Sequence, residues 1–311
     1  MVPPRAHVRY RLRVPDSPIP HLPDAGIDAV IGWFARSARR LPWREDDATP
    51  WGILVSEIML QQTPVVRVLP RWTQWMAQWP TPADLAEAPT AEVLRAWDRL
   101  GYPRRALRLQ ECARAIVREH AGQVPGTLEE LRALPGIGEY TAAAVAAFAF
   151  GRRAAVADTN IRRVLVRTIA GEQRPAPSYT ARERAMTHAT LPAETERSVL
   201  WNQAVMELGA LVCTARSPQC GLCPVRAHCA WDRAGRPEAP ADAPRRTQRF
   251  EGTDRQMRGR IMARLRSADQ VPVSLLLALD PEDPARVRRC LGTLLADGLA
   301  MRDGNVVHLP H

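Results

Sequence analysis

The sequence predicts an all-α protein body followed by a small, separate C-terminal module of winged-helix type. Strand-like alternation of apolar and polar residues is almost absent before residue 270, whereas apolar positions recur at helical spacing from Ile27 onward. The stretch 233–249, RAGRPEAPADAPRRTQR, breaks that pattern with the Pro- and Arg-rich composition of a linker. A length of 311 residues suits such a division.

Residues 1–24 are basic and Pro-rich with no apolar period, and read as a loose arm before a helical domain at 25–232. IDAVIGWFARSARR places Ile27, Val30, Ile31 and Phe34 on one face and ends in arginines that suit a helix C-terminus. LPWREDDATP is a loop with an exposed acidic centre. WGILVSEIMLQQT reads as a largely buried helix carrying one carboxylate, Glu57. Further helices are expected near 63–78, 82–87, 90–98, 103–120, 127–133 and 139–149, separated by Pro and Gly. Within 250–311, RQMRGRIMARLRSAD, VSLLLALD and PARVRRCLGTLLADG form three short helices, and LAMRDGNVVHL alternates about Asp303-Gly304 as a hairpin does. Three helices and a hairpin resemble a winged helix, a module that binds DNA or makes protein contacts.

Charge narrows the function. Lys plus Arg number 43 against 33 acidic residues, for a net charge of +10 and a pI near 10.3. That balance favours a polyanion partner, nucleic acid before membrane surface. Every one of the 43 cations is arginine. A GC-rich genome accounts for the choice of cation but not for the excess of ten. The absence of lysine excludes enzymes whose nucleophile is a lysine amine forming a Schiff base. No apolar run approaches the length of a membrane-spanning helix, and the N-terminus lacks the apolar centre of a secretory signal, so a cytoplasmic protein is expected.

Four motifs carry chemistry. The first is Cys213-x6-Cys220-x2-Cys223-x5-Cys229, four of the six cysteines within 17 residues. In a chain without an export signal such a cluster reads as metal or iron–sulfur ligation rather than disulfides. One CxxC flanked by single cysteines favours iron–sulfur over the paired knuckles of zinc sites, with zinc the alternative. Cys112 and Cys290 read as ordinary buried residues. The second motif is LRALPGIGEYTAAAVAAFAF, in which Gly136-Ile137-Gly138 turns the chain between two helices. Glycines permit close backbone approach and a new helix start favours an anion, so this reads as a helix-hairpin-helix holding a DNA backbone without reading sequence. The third is Asp158 in AAVADTNIRRVL, a plain helix N-cap by itself but placed some twenty residues beyond the hairpin. The fourth is Glu57, a carboxylate in an otherwise apolar helix, where burial disfavours the charged form as a proton donor near neutral pH requires. Two carboxylates beside a DNA-binding hairpin suggest cleavage of an N-glycosidic bond, one as acid and one stabilising a cationic sugar.

LPWR, SEIMLQQT, RLGYPRRALRL, LPGIGEYTA, VADTNIRRVL, NQAVMELGALVCT and the four-cysteine loop together resemble, in order, the helix-hairpin-helix DNA glycosylases with an iron–sulfur loop. Within them the chain is most similar to the adenine DNA glycosylases of the MutY type, in the short form of actinobacteria. The likeness covers residues 27–230, and SEIMLQQT is the motif that separates the adenine-specific members. It implies two helical subdomains with a [4Fe–4S] cluster on Cys213, Cys220, Cys223 and Cys229. It implies that Glu57 protonates the adenine ring and that Asp158 stabilises the C1′ cation, with Tyr140 and Asn160 beside it. Gln61, Gln62 and Tyr102 would meet the duplex around the opposing purine once the adenine is flipped out, and Gly136, Ile137 and Gly138 would hold its backbone. Arg39, Trp43, Arg44, Gln203 and Glu207 would border the base pocket. Lyase relatives carry a Schiff-base lysine at the position of Tyr140, so the resemblance implies a monofunctional enzyme. Its substrate would be duplex DNA with adenine opposite 8-oxoguanine or guanine, the enzyme would be a nucleoid-associated monomer, and an abasic-site endonuclease would act next. Two alternatives are a thymine glycosylase for G·T mismatches, which Glu57 and the following QQT argue against, and a non-catalytic iron–sulfur DNA-binding regulator, which the two carboxylates argue against.

Overall fold

The computed structural model of the protein describes residues 19–239 and 250–311. Its helices are α1 (Asp24–Ser37), α2 (Pro50–Leu60), α3 (Val65–Gln78), α4 (Pro82–Glu87), α5 (Thr90–Trp97), α6 (Arg104–Glu119), α7 (Leu128–Ala133), α8 (Glu139–Phe150), α9 (Thr159–Leu165), α10 (Ala181–Thr190), α11 (Thr195–Leu211), α12 (Ala230–Arg233) and α13 (Asp254–Arg266). Then come β1 (Val271–Pro272), α14 (Val273–Leu277), α15 (Pro284–Ala296), β2 (Met301–Asp303) and β3 (Val306–His308). Among the described residues no strand precedes Val271, and no helix is long and apolar enough to cross a membrane.

The chain divides into two units. Of the described residues, one comprises 39–156, 193–199 and 250–311. Its core is α2 packed on α8. Thr49 caps α2 by accepting from the Gly52 amide, Pro50 occupies the first turn, and every residue from Trp51 to Met59 is buried. On α8, Thr141 through Ala147 are all buried, five of them alanines, which lets the two helices approach closely. Around this pair α4 and α5 pack on α6, and Trp75 makes edge contacts with Trp79 and Trp97. The C-terminal module belongs to the same unit. Its three helices carry a small antiparallel sheet of order β1-β3-β2, so the expected hairpin has gained a third short strand at Val271–Pro272.

The other unit comprises residues 19–38, 157–192 and 200–239. It holds α1, α9, α10, most of α11, the cysteine loop and α12. Below α9 the helix widens into a π turn at Val166–Ala170, against which α12 packs.

Two expected boundaries move. The arm was expected to run to residue 24; residues 1–18 lie outside the described residues, but Leu22 is 2% exposed and seated against Gly26, and α1 starts at Asp24. The linker was expected from 233. Residues 240–249 lie outside the described residues, whereas 234–239 are pinned down: the Trp231 indole donates to the Pro237 carbonyl at 2.9 Å, Arg236 pairs with Asp232, and the Ala239 amide donates to Gln173. A buried indole N–H needs an acceptor, and this Pro-rich segment supplies it.

Candidate active site and cysteine loop

In the first unit the α2–α8 contact brings Glu57 and Tyr140 together. Glu57 is 5% exposed, and the Tyr140 hydroxyl donates to its Oε2 at 2.7 Å. Tyr140 lies in the first turn of α8, immediately after the hairpin. At 2.7 Å this is an ordinary O–H···O hydrogen bond, and it fixes one oxygen of the Glu57 carboxyl in place.

The hairpin forms as the glycines require. Gly136 has φ +77°, and a Cβ there would lie 3.0 Å from the Cβ of Arg108. Gly138 caps α8 and, like Gly136, is exposed. Ile137 differs from its neighbours. Its side chain is 7% exposed and its amide donates to Leu134, so it anchors the hairpin from inside and offers neither group outward.

Gln62 and Tyr102 share a feature that the sequence does not display. Both hold positive φ, +56° and +46°, which costs non-glycine residues free energy of order 1–3 kcal/mol. The residue that holds them there is Arg105, 9% exposed at the start of α6. Its Nη1 donates to the carbonyls of Ile58, Met59 and Gln61, and its Nη2 to Thr63 Oγ1 and the carbonyls of Leu100 and Gly101. One guanidinium therefore ties the turn carrying Gln62 to the turn carrying Tyr102. Burial lowers its pKa to about 10, so it keeps its charge at neutral pH. Gln61 points the other way, its amide donating to Thr141 on α8 at 3.4 Å. Tyr102 stays 42% exposed.

In the second unit Asp158 caps α9, accepting from the Ile161 amide at 2.6 Å, so the plain N-cap reading of this residue is correct. Its other oxygen accepts from Asn160 Nδ2 at 2.8 Å. Burial pushes the Asp158 carboxyl above the ordinary aspartate range, and the bonds from Ile161 and Asn160 and the nearby Arg163 pull against it. Asn160 is itself held, its Oδ1 accepting from Arg163 Nη2 at 2.7 Å. Arg163 also donates to the carbonyls of Gly209 and Cys213, at 2.7 and 2.8 Å. A continuous hydrogen-bonded line thus runs from Asp158 to the first cysteine of the loop.

The four loop cysteines line one cavity, together with Val164, Leu208, Val225, Trp231 and Arg167. Arg167 is 1% exposed, lies 4.6 Å from the Trp231 ring and donates to Cys213 Sγ at 3.3 Å and to the Thr214 carbonyl at 2.8 Å. Burial pushes the Cys223 thiol up to about 12, and the charges of Cys213, Cys229 and Cys220 add to the effect. Four cysteine sulfurs around one apolar cavity can ligate a metal centre once deprotonated, and this donor set fits an iron–sulfur cluster as it would zinc. Cys112 and Cys290 are 0% and 1% exposed and belong to the other unit, as core residues of it.

The expected base-pocket residues are not alike. Trp43 is 5% exposed and packs edge-on against Trp72 at 5.5 Å, a core position. Arg39 and Arg44 are partly exposed in the same unit. On α11 of the second unit, Gln203 is half-buried and Glu207 wholly buried. The clamps Arg105, Arg163 and Arg167 were not anticipated. The spacing of Arg163 and Arg167, four apart and hence on one helical face, is the only sequence sign of them.

Comparison with known proteins agrees with this geometry. Residues 55–187 match the HhH-GPD superfamily of base excision DNA repair proteins, and residues 213–229 match the iron–sulfur binding domain of endonuclease III. The cysteine loop is accordingly a [4Fe–4S] site. Among solved structures, a thermostable thymine-DNA glycosylase superposes with a TM-score of 0.61 at 27% identity, covering 67% of this chain and 95% of that one. The adenine DNA glycosylase of Mycobacterium tuberculosis H37Rv is 50% identical over 286 residues, 91% of each chain. That of Mycolicibacterium smegmatis is 49% identical over 271 residues, 87% of this chain and 90% of the relative. At this identity and coverage the chain belongs to the adenine DNA glycosylase family, within the HhH-GPD superfamily.

Proposed function

We propose that the protein is a monofunctional adenine DNA glycosylase of base excision repair, acting on adenine opposite 8-oxoguanine or guanine in duplex DNA. The observation that carries this reading is the buried Glu57 carboxyl held by the Tyr140 hydroxyl. Glu57 gives a proton to the adenine ring. The C1′–N bond then breaks with its electron pair going to the base, which leaves as neutral adenine. The cationic sugar carbon is stabilised by the ionised Asp158, held by Asn160 and the α9 amide, and water adds at C1′ with loss of a proton to give an abasic site. Arg39, Trp43 and Arg44 of one unit and Gln203 and Glu207 of the other are assigned to the base pocket, Trp43 through its packing on Trp72. Gln62 and Tyr102, in their constrained turns, probe the opposing purine, and Gly136 and Gly138 present the start of α8 to a phosphate. Tyr140 stands where lyase relatives have lysine, and the chain contains no lysine at all, which supports a hydrolytic product without strand cleavage. Cys213, Cys220, Cys223 and Cys229 would hold the cluster, which would anchor the Cys213–Cys229 loop.

Labelled duplexes carrying A·8-oxoG, A·G and T·G, incubated with enzyme and read with and without alkali, test the reading. Breaks at adenine only after alkali are expected. Breaks without alkali would overturn the monofunctional assignment, and breaks at thymine would overturn the base assignment. Glu57→Gln is expected to abolish excision while duplex binding persists; full activity in that variant would remove Glu57 as the acid.

A further inference from the structure

A cluster of arginines in the first unit lies outside the Glu57–Tyr140 pair. A cavity of about 430 Å³ is lined by Arg71 of α3, Arg95 of α5, Asp98 and Arg99 of the following turn, and Ala263, Arg266 and Ser267 of the C-terminal module. Four guanidinium groups face one carboxylate there. Asp98 is engaged by Arg71 at 2.5 Å and stands 4.0 Å from Arg266. Arg95 pairs with Asp269, whose side chain is 97% exposed, so solvent screens that bond. With both carboxylates counted against the four cations, an excess of two positive charges remains at the cavity.

That excess is partly desolvated. The Arg266 side chain is only 14% exposed. Burial lowers its pKa, Asp98 pulls it back up, and the like charges of Arg99 and Arg71 lower it again. An ion-pair network built only for stability would balance its charges; this one is left short of an anion.

The surroundings indicate which anion. Arg99 precedes Tyr102 by three residues, in the turn that Arg105 holds. Arg255, in the first turn of α13, lies 4.6 Å over the Tyr102 ring. Arg266 closes the same helix eleven residues later, about 16 Å along its axis at 1.5 Å per residue. A basic line therefore runs from the exposed tyrosine to the cavity. DNA advances about 3.4 Å per phosphate of one strand, so 16 Å corresponds to about five nucleotides.

We infer that this cavity is a backbone-phosphate site for duplex DNA, completed only by the C-terminal module: Arg71, Arg99 and Arg266 hold a phosphodiester about five nucleotides from the position that Tyr102 probes. The inference rests on the reading of Tyr102 as a duplex-facing residue. It assigns the module a share of DNA affinity that carries no sequence information, since phosphate contacts position and do not specify.

Binding of an undamaged duplex to the cluster-loaded full chain, followed by anisotropy across a salt series, tests it. One phosphate contact contributes about 0.9 to the slope of log K against log salt. Between about 50 and 200 mM salt, wild type should therefore lose about 3.5-fold more affinity than the Arg99→Gln/Arg266→Gln double variant. Because Arg266 is largely buried, the single Arg99→Gln variant at an exposed position serves as the second probe, with a smaller loss of slope and an unchanged melting temperature. Equal slopes for wild type and both variants would overturn the site. Inorganic pyrophosphate that protects wild type against heat, with duplex slopes equal, would show a small-anion pocket and likewise overturn the duplex assignment. Excision plays no part in this measurement, so failure of the adenine-specific reading and failure of the phosphate site are separately visible.

Discussion

Gly209→Ala is the sharpest test of how Asp158 is held. Gly209 faces Asn160 from α11, and an added Cβ would lie 2.7 Å from the Asn160 Cβ, 2.9 Å from its carbonyl oxygen and 3.0 Å from its carbonyl carbon. Ordinary contact begins near 3.4 Å, so relief needs a displacement of about 0.7 Å, and two of the three atoms are backbone that no rotamer change can move. The Asn160 Nδ2 bond to Asp158, now 2.8 Å, would stretch toward 3.5 Å, the limit of a useful hydrogen bond. Misplacement on the scale of 1 Å costs on the order of 10²-fold in rate, so excision is expected to fall about 30- to 100-fold, roughly 2–2.7 kcal/mol of barrier. Stability should move less. Overpacking costs about 1–3 kcal/mol, while alanine in a helix interior returns about 1 kcal/mol relative to glycine, for a net loss of about 0–2 kcal/mol. Single-turnover excision at saturating enzyme, beside thermal melting and cluster absorbance, separates these quantities. Gly292→Ala in α15 is the control, because its Cβ would meet nothing within 4 Å and should be neutral or stabilising. A Gly209→Ala enzyme cutting within threefold of wild type, or one whose lost activity tracks lost cluster, would refute the positioning argument.

Arg105→Ala removes the group that satisfies five carbonyls and a hydroxyl across two turns, and should destabilise the protein by about 3 kcal/mol or more, read as a lower melting temperature. Arg105→Lys should recover little, because one ammonium cannot span both turns; full recovery of melting temperature and duplex affinity would show that charge alone suffices. Cys220→Ser should lose cluster absorbance and bound iron together, and a colourless variant retaining stoichiometric iron would contradict the four-thiolate site. Asp158 must be ionised to stabilise a cation, and burial raises its pKa, so the acidic limb of the excision profile should lie at higher pH than an ordinary aspartate would give. Asn160→Ala removes a hydrogen bond that favours the ionised form, so it should push that limb further up, and a limb that stays in place would separate Asp158 from the profile. The same shift has a stability consequence of opposite sense. A carboxyl whose folded pKa is raised adds stability that is fully present below its unfolded value and is lost as pH rises through the folded one.

The chemistry-bearing residues were legible because their signals are local in sequence. A carboxylate inside an apolar helix, a GxG between two helices and four cysteines in 17 residues each declare themselves without a tertiary structure. The residues that hold them in place were not legible. Arg105 reaches acceptors 42 to 47 positions earlier in the chain, and one more arginine in RLGYPRRALRL gives no sign of that. Ile137 stands inside a binding motif yet points inward, because a turn this tight needs an apolar anchor as well as its glycines. The segment 234–239 reads as linker from its Pro, Gly and Ala content, and only the need of a buried Trp231 N–H explains why it is ordered against its unit.

Arginine usage connects these observations. The absence of lysine is more than a compositional accident, because Arg105, Arg163 and Arg167 make contacts that an ammonium cannot. Each spreads one planar charge over several carbonyl oxygens, and Arg105 does so across the two turns whose residues hold positive φ. Carbonyl acceptors do not cancel charge, so these interior cations remain part of the +10 total while being screened from any ligand. Net charge therefore overstates the basic surface offered to DNA. What identifies a phosphate site is a group of arginines with too few carboxylates and an opening to solvent, and the cavity of Arg71, Arg99 and Arg266 meets that condition where the buried clamps do not. The prediction is consequently asymmetric: neutralising Arg99 should weaken the salt dependence of binding at constant stability, while neutralising Arg105 should lower stability and disturb the turns of Gln62 and Tyr102. If both substitutions instead lowered stability alike and left the salt slope untouched, the division of arginines into clamps and contacts would fail.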